Sequence, residues 1–370
     1  MKILIIEPFF SGSHKSWAEN YVKHSKHDVD ILSLPGRFWK WRMHGGAITL
    51  AKKYNRLQLN PSIILATGML NLPVFMALTK PRCPVAIYFH ENQFTYPWSK
   101  YDKDVELQRD KHYGFINYSS ALAADCLFFN SKFHFESFFP GLEKFLSQFP
   151  DYKGIGNVQL IYEKSEILHL GLNLEKLVAC KIEKHNNDLP IILWNHRWEY
   201  DKNPTDFFDA LNHISKIGLD FHLVVLGNEF KREMPSFTHA RNTLKRHIIQ
   251  FGYTETFEDY AAWLWKADIL PVTSIQDFFG ISIMEAVFCN TIPLLPQRLS
   301  YPELFRSNEN PEIFYHSKKD LINKLEILIH NIALGQNQKL YNNIPIKYDW
   351  EIMSPLYDDR LEKLLVENRT

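Results

Sequence analysis

The sequence predicts an α/β protein built from two doubly wound units in tandem, and three observations carry that prediction. Short apolar runs bounded by Pro, Gly and Asn recur along the chain. Stretches with helical spacing lie between many of them, the alternation expected of parallel sheets. A polar run near the middle separates a first series from a second. With 370 residues the chain has room for about two domains at the usual ~100–200 residues each. At that length folding removes roughly 75% of the chain surface from water, enough for a sizeable core.

The elements follow in order. Lys2–Glu7 is a nearly continuous apolar run. It leads through the turn-rich Pro8-Phe9-Phe10-Ser11-Gly12-Ser13-His14 into a helix over about Lys15–His24. Asp28–Leu34, Ser62–Thr67, Val85–His90, Cys126–Asn130 and Val158–Tyr162 read as further short buried strands. The domain boundary is expected within Asn173–Asp188, which carries the polar run Lys181–Asp188. The second series is Pro190–Trp194, His222–Gly227, His247–Phe251, Asp268–Val272 and Thr291–Leu295, with helices at Thr205–Ile217 and Ser282–Phe288. Trp350–Asn368 reads as a closing amphipathic helix. No sequence repeat recurs at a fixed period, so what repeats is architecture. The expected domains are 1–172 (acceptor-binding) and 173–345 (donor-binding), with 346–370 a C-terminal helix packing back on the first.

Composition narrows the function classes. There are 42 basic and 42 acidic residues, so charge offers no general footprint for nucleic acid, although a local basic patch is compatible with that total. Apolar residues make up 45% and charged residues 23%, an ordinary globular balance that argues against disorder. With 27 Phe and nine Trp, some rings are available to stack on sugars or bases beyond those packing cores. Cys83, Cys126, Cys180 and Cys289 are far apart and form no CxxC pair, so neither a zinc site nor a disulfide framework is suggested. The apolar run at the start is too short for a signal peptide, and no stretch reaches the ~18–20 apolar residues of a membrane span. A cytoplasmic monomer without membrane association is expected.

In open parallel sheets ligands bind beyond the carboxyl ends of the strands, so the residues just after each strand are the candidates. After the first strand, Gly12, Ser13 and His14 precede a helix whose start favours an anion. After the fourth, His90, Glu91, Asn92 and Gln93 form a polar cluster able to meet sugar or acceptor hydroxyls. In the second half, Arg197 and Lys202 stand on a loop before a helix, an Arg fork and a Lys point charge suited to a departing diphosphate without a metal. Gly227 and Asn228 follow the next strand, where a base or ribose can lie. The segment Asp277-Phe278-Phe279-Gly280-Ile281-Ser282-Ile283-Met284-Glu285 sets the amides of Phe279, Gly280, Ile281 and Ser282 near a helix start. It also puts Glu285 a turn further on, where a ribose diol can donate to it.

Asp277 and Glu285 with Gly280 between them resemble the E-x7-E signature of retaining GT-B glycosyltransferases of the GT4 type. Arg197 and Lys202 match that group's donor-diphosphate pair, His90 its N-terminal histidine near the donor sugar, and His169–Asn173 its domain-crossing segment. A narrower resemblance, to the tRNA-queuosine alpha-mannosyltransferase family, lies in five stretches: Ile5–Lys15, Phe38–Arg42, Tyr88–Pro97, Phe128–Ser131 and Trp194–Pro204. It implies GDP-mannose as donor, the cyclopentenediol of queuosine in tRNA as acceptor, and front-face retention. Arg197, Lys202 and the helix start before Ser282 would then stabilise the leaving diphosphate, which takes the acceptor proton. Neither a metal nor another cofactor is expected. For the acceptor, the basic-aromatic run Arg37–Arg42, with Trp39, Trp41 and Arg42, is the candidate RNA surface, Lys15, Lys52, Lys53 and Arg56 can extend it, and His14 is a further expected acceptor-binding residue. The alternatives are a GT4-type enzyme with a lipid, glycan or small-molecule acceptor, a sugar-nucleotide epimerase, and a non-catalytic nucleotide-sugar or RNA-binding protein.

Overall fold

The computed structural model describes residues 1–99, 102–107, 109–183, 189–227 and 234–368. The chain divides into two compact units, Met1–Gly171 with Trp350–Thr370, and Leu172–Asp349. The expected boundary run is described only as far as Glu183, so Lys184–Asp188 lie outside the described residues. Leu172 goes with the second unit because its amide donates to the Tyr348 carbonyl at 2.7 Å and it bridges Asp349.

The first unit holds β1 (Lys2–Phe10), β2 (Asp28–Pro35), β3 (Ile63–Thr67), β4 (Val85–Phe89), β5 (Cys126–Phe129) and β6 (Ser165–Ile167). They pair in parallel in the order β2-β1-β3-β4-β5-β6. The pleat sends alternate residues to opposite faces. Leu4, Ile6, Ile64, Ala66, Ile87, Phe89, Leu127 and Phe129 therefore share one cluster with Phe75 and Phe138. The Trp350–Glu367 helix belongs to this unit and docks on the Gly12–His24 helix. Trp17 donates to the Tyr357 hydroxyl at 3.2 Å and Tyr21 to Asp358 at 2.7 Å. The buried Asp358 carboxylate also accepts from Ser25 and from the Lys26 amide, so the docking is polar as well as apolar.

One expected strand is a helix. Val158–Tyr162 lies within the Asn157–Glu163 helix, and the sixth strand follows at Ser165–Ile167. The run is apolar enough for either state. Packing decides: Ile161 is buried, Val158 packs on the same cluster, and Tyr162 sits edge-on to Phe135 and Phe139, a three-to-four-residue period.

The second unit holds β7 (Ile191–Trp194), β8 (His222–Leu226), β9 (Ile248–Gly252), β10 (Ile269–Pro271), β11 (Ile292–Pro296) and β12 (Phe314–Tyr315). Their order is β12-β11-β10-β7-β8-β9, all parallel. β12 has two residues, too short to announce itself by pattern. The Pro204–Lys216 helix shows why this unit folds as it does: Pro204 opens the first turn, and Phe207, Phe208, Leu211 and Ile214 lie on one face and are buried with Trp194 and Phe237. Each such buried side chain contributes about 1.5–3 kcal/mol over exposure.

Strand order locates the switch points where sheet progression reverses. They fall between β1 and β3 in the first unit and between β7 and β10 in the second. Crevices at the carboxyl ends of these strands are where open α/β sheets take ligands.

Candidate active site

At the second unit's switch point, the loop after β7 carries Asn195 to Asn203 and the loop after β10 carries Val272 to Gly280. The two are stitched to the start of the Ile281–Phe288 helix. Asn195 donates to the Ser282 carbonyl at 2.7 Å, and His196 Nδ1 meets the Ser282 hydroxyl at 3.2 Å. Gly280 caps that helix in the left-handed region, φ 85°, which a residue with Cβ rarely adopts. The Ile283 and Met284 amides bond back to the Gly280 carbonyl. Helix geometry gives the Ile281 and Ser282 amides no partner within the helix, which makes this end attractive to an anion.

Lys202 is buried between two carboxylates. Its ammonium lies 3.2 Å from Asp277, 3.3 Å from Asp201, and donates to the Gln276 carbonyl at 2.9 Å. Burial disfavours its charge, but Asp277 and Asp201 outweigh that and raise its pKa above the ordinary lysine value. Asp277 also accepts from the Tyr301 hydroxyl at 3.2 Å. Burial works against its charge too, and Lys202 followed by His196 holds it below the usual carboxylate range. Arg197 is different: its side chain is 58% exposed and pairs with Glu199 at 3.3 Å. The two cations expected to act alike thus have unlike settings, one built in and one at the surface.

Glu285 accepts from the Tyr260 hydroxyl at 2.8 Å. Burial lifts its carboxyl to about 7, with Tyr260 and Lys176 pulling the other way. Gly227 has a structural reason: at φ 125° an added Cβ would sit 2.6 Å from the His196 carbonyl. Asn228 lies outside the described residues. Phe279 is buried edge-on to Tyr348, so its ring is taken up in packing.

In the first unit, Glu7 within β1, His14 on the helix that follows, and His90 and Glu91 just after β4 come together. Glu7 is fully buried, its Oε1 accepting from the Phe9 amide at 2.6 Å and its Oε2 bonded to His14 Nδ1 at 2.9 Å. His14 Nε2 lies 3.4 Å from Glu91 Oε2. The His14 and His90 rings are 4.2 Å apart, tilted by 36°. Burial opposes charging His14, yet Glu7 and Glu91 raise it to about 10. His90 goes the other way, well below its ordinary value, through burial and then His14 and His134. Adjacent groups pushed apart in this fashion are a mark of functional sites.

Among the described residues, Glu7, His14 and His90 form the grouping with donor atoms within 4.8 Å of one another. Both His14 nitrogens are already bonded to carboxylates and its ring lies against His90. That is an ion-paired stack, not a set of ligands converging on one point.

Several expected acceptor residues part company. The Asn92 oxygen accepts from the Phe94 and Thr95 amides at 3.0 Å each and from the Thr95 hydroxyl at 3.2 Å. It organises the turn instead of facing a ligand. The Gln93 amide is held by Asn117 at 2.8 Å. Trp39 packs against Trp98 and Tyr113, and Lys40 is pinned by Asp102 and Asp104 at 2.5 Å each, so neither matches the exposed role expected of the run. Trp41 is 64% exposed. Arg42 donates to the Pro35 carbonyl, and Ser13 and Gly12 are exposed at the helix start. Lys15 reaches Glu19 at 3.6 Å.

Sequence reading passed over Glu7, Asp201, Tyr260 and Tyr301 as site residues. Glu7 had a signal: a carboxylate at the end of Ile3–Ile6, deep in a buried strand. The two tyrosines had none, because their reach to Glu285 and Asp277 spans 25 and 24 residues.

Comparison with known proteins places the chain in a family. A family model described as tRNA-queuosine alpha-mannosyltransferase N-terminal matches residues 2–172, and one described as glycosyl transferases group 1 matches residues 179–345. A tRNA-queuosine alpha-mannosyltransferase of Drosophila melanogaster is 33% identical over 333 residues, covering 87% of this chain and 85% of that protein. Among solved structures, sucrose-phosphate synthase of Thermosynechococcus elongatus has a TM-score of 0.72 at 12% identity, covering 99% of this chain and 100% of that one. A glycosyltransferase of Rickettsia africae has a TM-score of 0.67 at 15% identity, covering 98% of each chain. At such identities the structures speak to the fold alone, and that fold is GT-B. The chain belongs to the tRNA-queuosine alpha-mannosyltransferase family.

Proposed function

We propose that this protein is a hexosyltransferase that moves mannose from GDP-mannose, with retention at the anomeric carbon, onto the cyclopentenediol of queuosine in tRNA, aspartate tRNA in particular. Family membership and the name of the Drosophila relative support the sugar and the acceptor. The observation that carries the donor half is the second unit's switch point, where Arg197, the buried Lys202 and the Ile281–Phe288 helix start come from adjacent strand ends.

In this reading the bond from the mannose anomeric carbon to phosphate oxygen breaks as the acceptor hydroxyl bonds to the same face. The hydroxyl proton passes to the departing diphosphate oxygen. Charge grows on that diphosphate, and fixed donors in a water-poor site stabilise it without reorganising. Arg197 supplies an exposed fork, the Ile281 and Ser282 amides supply fixed dipoles, and Lys202 holds Asp277 while adding its charge. Glu285, oriented by Tyr260, accepts from the ribose diol. In the first unit, His90 is the group proposed for the sugar, and His14, Glu91 and Trp41 are those proposed for the acceptor. These cations make a metal unnecessary. Among the described residues no helix is long and apolar enough to cross a membrane. A tRNA substrate fits a cytoplasmic enzyme.

Incubation with GDP-mannose and queuosine-containing aspartate tRNA, followed by nucleoside mass analysis, tests the reading. One added hexose is expected, unchanged by EDTA and formed more slowly by Arg197→Ala and Glu285→Ala. Donor consumption with no hexose on tRNA points to another acceptor, and an epimer formed without tRNA points to an epimerase.

A further inference from the structure

The first unit contains a chain of three side chains running from the interior to the surface. Glu7 is fully buried, the His14 side chain is 8% exposed and the Glu91 side chain 30% exposed. They come from β1, the Gly12–His24 helix and the turn after β4. A carboxylate at the end of a buried apolar strand is costly unless paired and hydrogen-bonded. Here both of its oxygens are engaged, one by the Phe9 amide and one by His14. With Nδ1 fixed, the ring can turn Nε2 only toward Glu91, and the stack against His90, itself edge-on to Trp17, blocks other rotations.

We propose that Glu7 is a positioning residue: it locks the His14 ring so that Nε2 holds the Glu91 carboxylate in one orientation for the hydroxyls of the acceptor diol. The inference rests on the proposed acceptor reading of Glu91. A buried partner that fixes a ring nitrogen and thereby aims the other is how supporting residues tune functional histidines. The charged and titratable groups facing His14 are Glu7 from β1, Glu91 and His90 from β4 and its turn, and Lys15 beside it on its own helix, with His134 beyond His90. Burial disfavours the charged ring, and the two carboxylates reverse that, taking it to about 10. Without Glu7 the ring's pKa falls, because burial then acts against Glu91 alone.

The test uses the full chain and Glu7→Gln, which keeps size and an acceptor oxygen but removes the charge. Histidine-selective NMR of the wild type should find the His14 ring doubly protonated at pH 8, and Glu7→Gln should find it neutral there. In transfer assays Glu7→Gln should raise the KM for queuosine tRNA on the order of 10-fold at pH 8, with kcat and the donor KM close to wild type. At pH 6 Glu91 alone recovers more of the ring's charge, so the gap should narrow. A neutral His14 in the active wild type overturns the role of Glu7, and so does a Glu7→Gln loss confined to kcat or equal at both pH values. If the variant does not fold, the wild-type ring titration still decides. A wild type with a doubly protonated His14 that transfers nothing to queuosine tRNA overturns the acceptor reading instead. Zinc binding to the wild type that is lost in His14→Gln replaces the ion-paired chain with a metal site and overturns it too.

Discussion

Each unit places one buried cation between two carboxylates near a strand end, but the two cations are chemically unlike. In the second unit Lys202 lies between Asp201 and Asp277, and in the first His14 lies between Glu7 and Glu91. Lysine is charged throughout the physiological range and its partners only deepen that. Histidine is charged because of its partners. Both folded pKa values are raised, so both pairings stabilise the fold at low pH and are lost as pH rises through the folded value. For His14 the contribution is full below its ordinary 6.5 and fades toward about 10. For Lys202 it fades only above the ordinary 10.5. The lysine cluster is a fixed scaffold across neutral pH, while the histidine cluster is pH-sensitive on its alkaline side.

The largest test of this contrast is Lys202→Met. It leaves Asp201 and Asp277 buried with no cation, and breaking such a cluster costs about 3–5 kcal/mol. Calorimetry should show a large fall in Tm, and single-turnover assays a transfer rate reduced on the order of 100-fold or more. Retention of wild-type Tm would mean that the carboxylates do not depend on Lys202.

Arg197→Ala should separate chemistry from stability. The Arg197 side chain is 58% exposed, so solvent screening weakens what its pairing with Glu199 contributes to stability. Turnover should drop roughly 10- to 100-fold while Tm stays within a degree or two of wild type. A matching loss of Tm would place Arg197 in the scaffold with Lys202.

The smallest effect concerns Glu285, whose carboxyl sits at about 7. The folded chain holds this proton longer than the unfolded chain, so ionisation costs stability as pH rises from about 4.5 to about 7. In the proposed donor site the ionised form would accept the ribose hydroxyls, so GDP affinity should rise on the order of 10-fold between pH 5.5 and 8.5. Tyr260→Phe should move the midpoint upward, because the Tyr260 bond favours the carboxylate. Glu285→Gln should flatten the profile. A profile unchanged in Glu285→Gln would assign the titration to the ligand phosphate.

Much of this was legible from local pattern. The apolar runs announced β1 to β5 and β7 to β11 within a few residues, since burial on both faces demands continuous apolar character. Val158–Tyr162 was misread because a short apolar run fits strand or helix until its neighbours Phe135 and Phe139 are in place. Arg37–Arg42 likewise read as one exposed patch. In the fold Trp39 and Lys40 turn to Trp98, Tyr113, Asp102 and Asp104, leaving Trp41 outward.

The sequence by itself determined the tandem α/β architecture, the strand ends to inspect, and the spacing of Gly280 and Glu285 on one helix start. These depend on periodicity and on neighbours within a turn. Only the tertiary structure decided which charges are buried and what holds them. Glu7 with His14 and Glu91, Lys202 with Asp277, and Tyr260 with Glu285 join separate elements. Desolvation and pairing, the quantities that set their protonation, come into being when those elements pack.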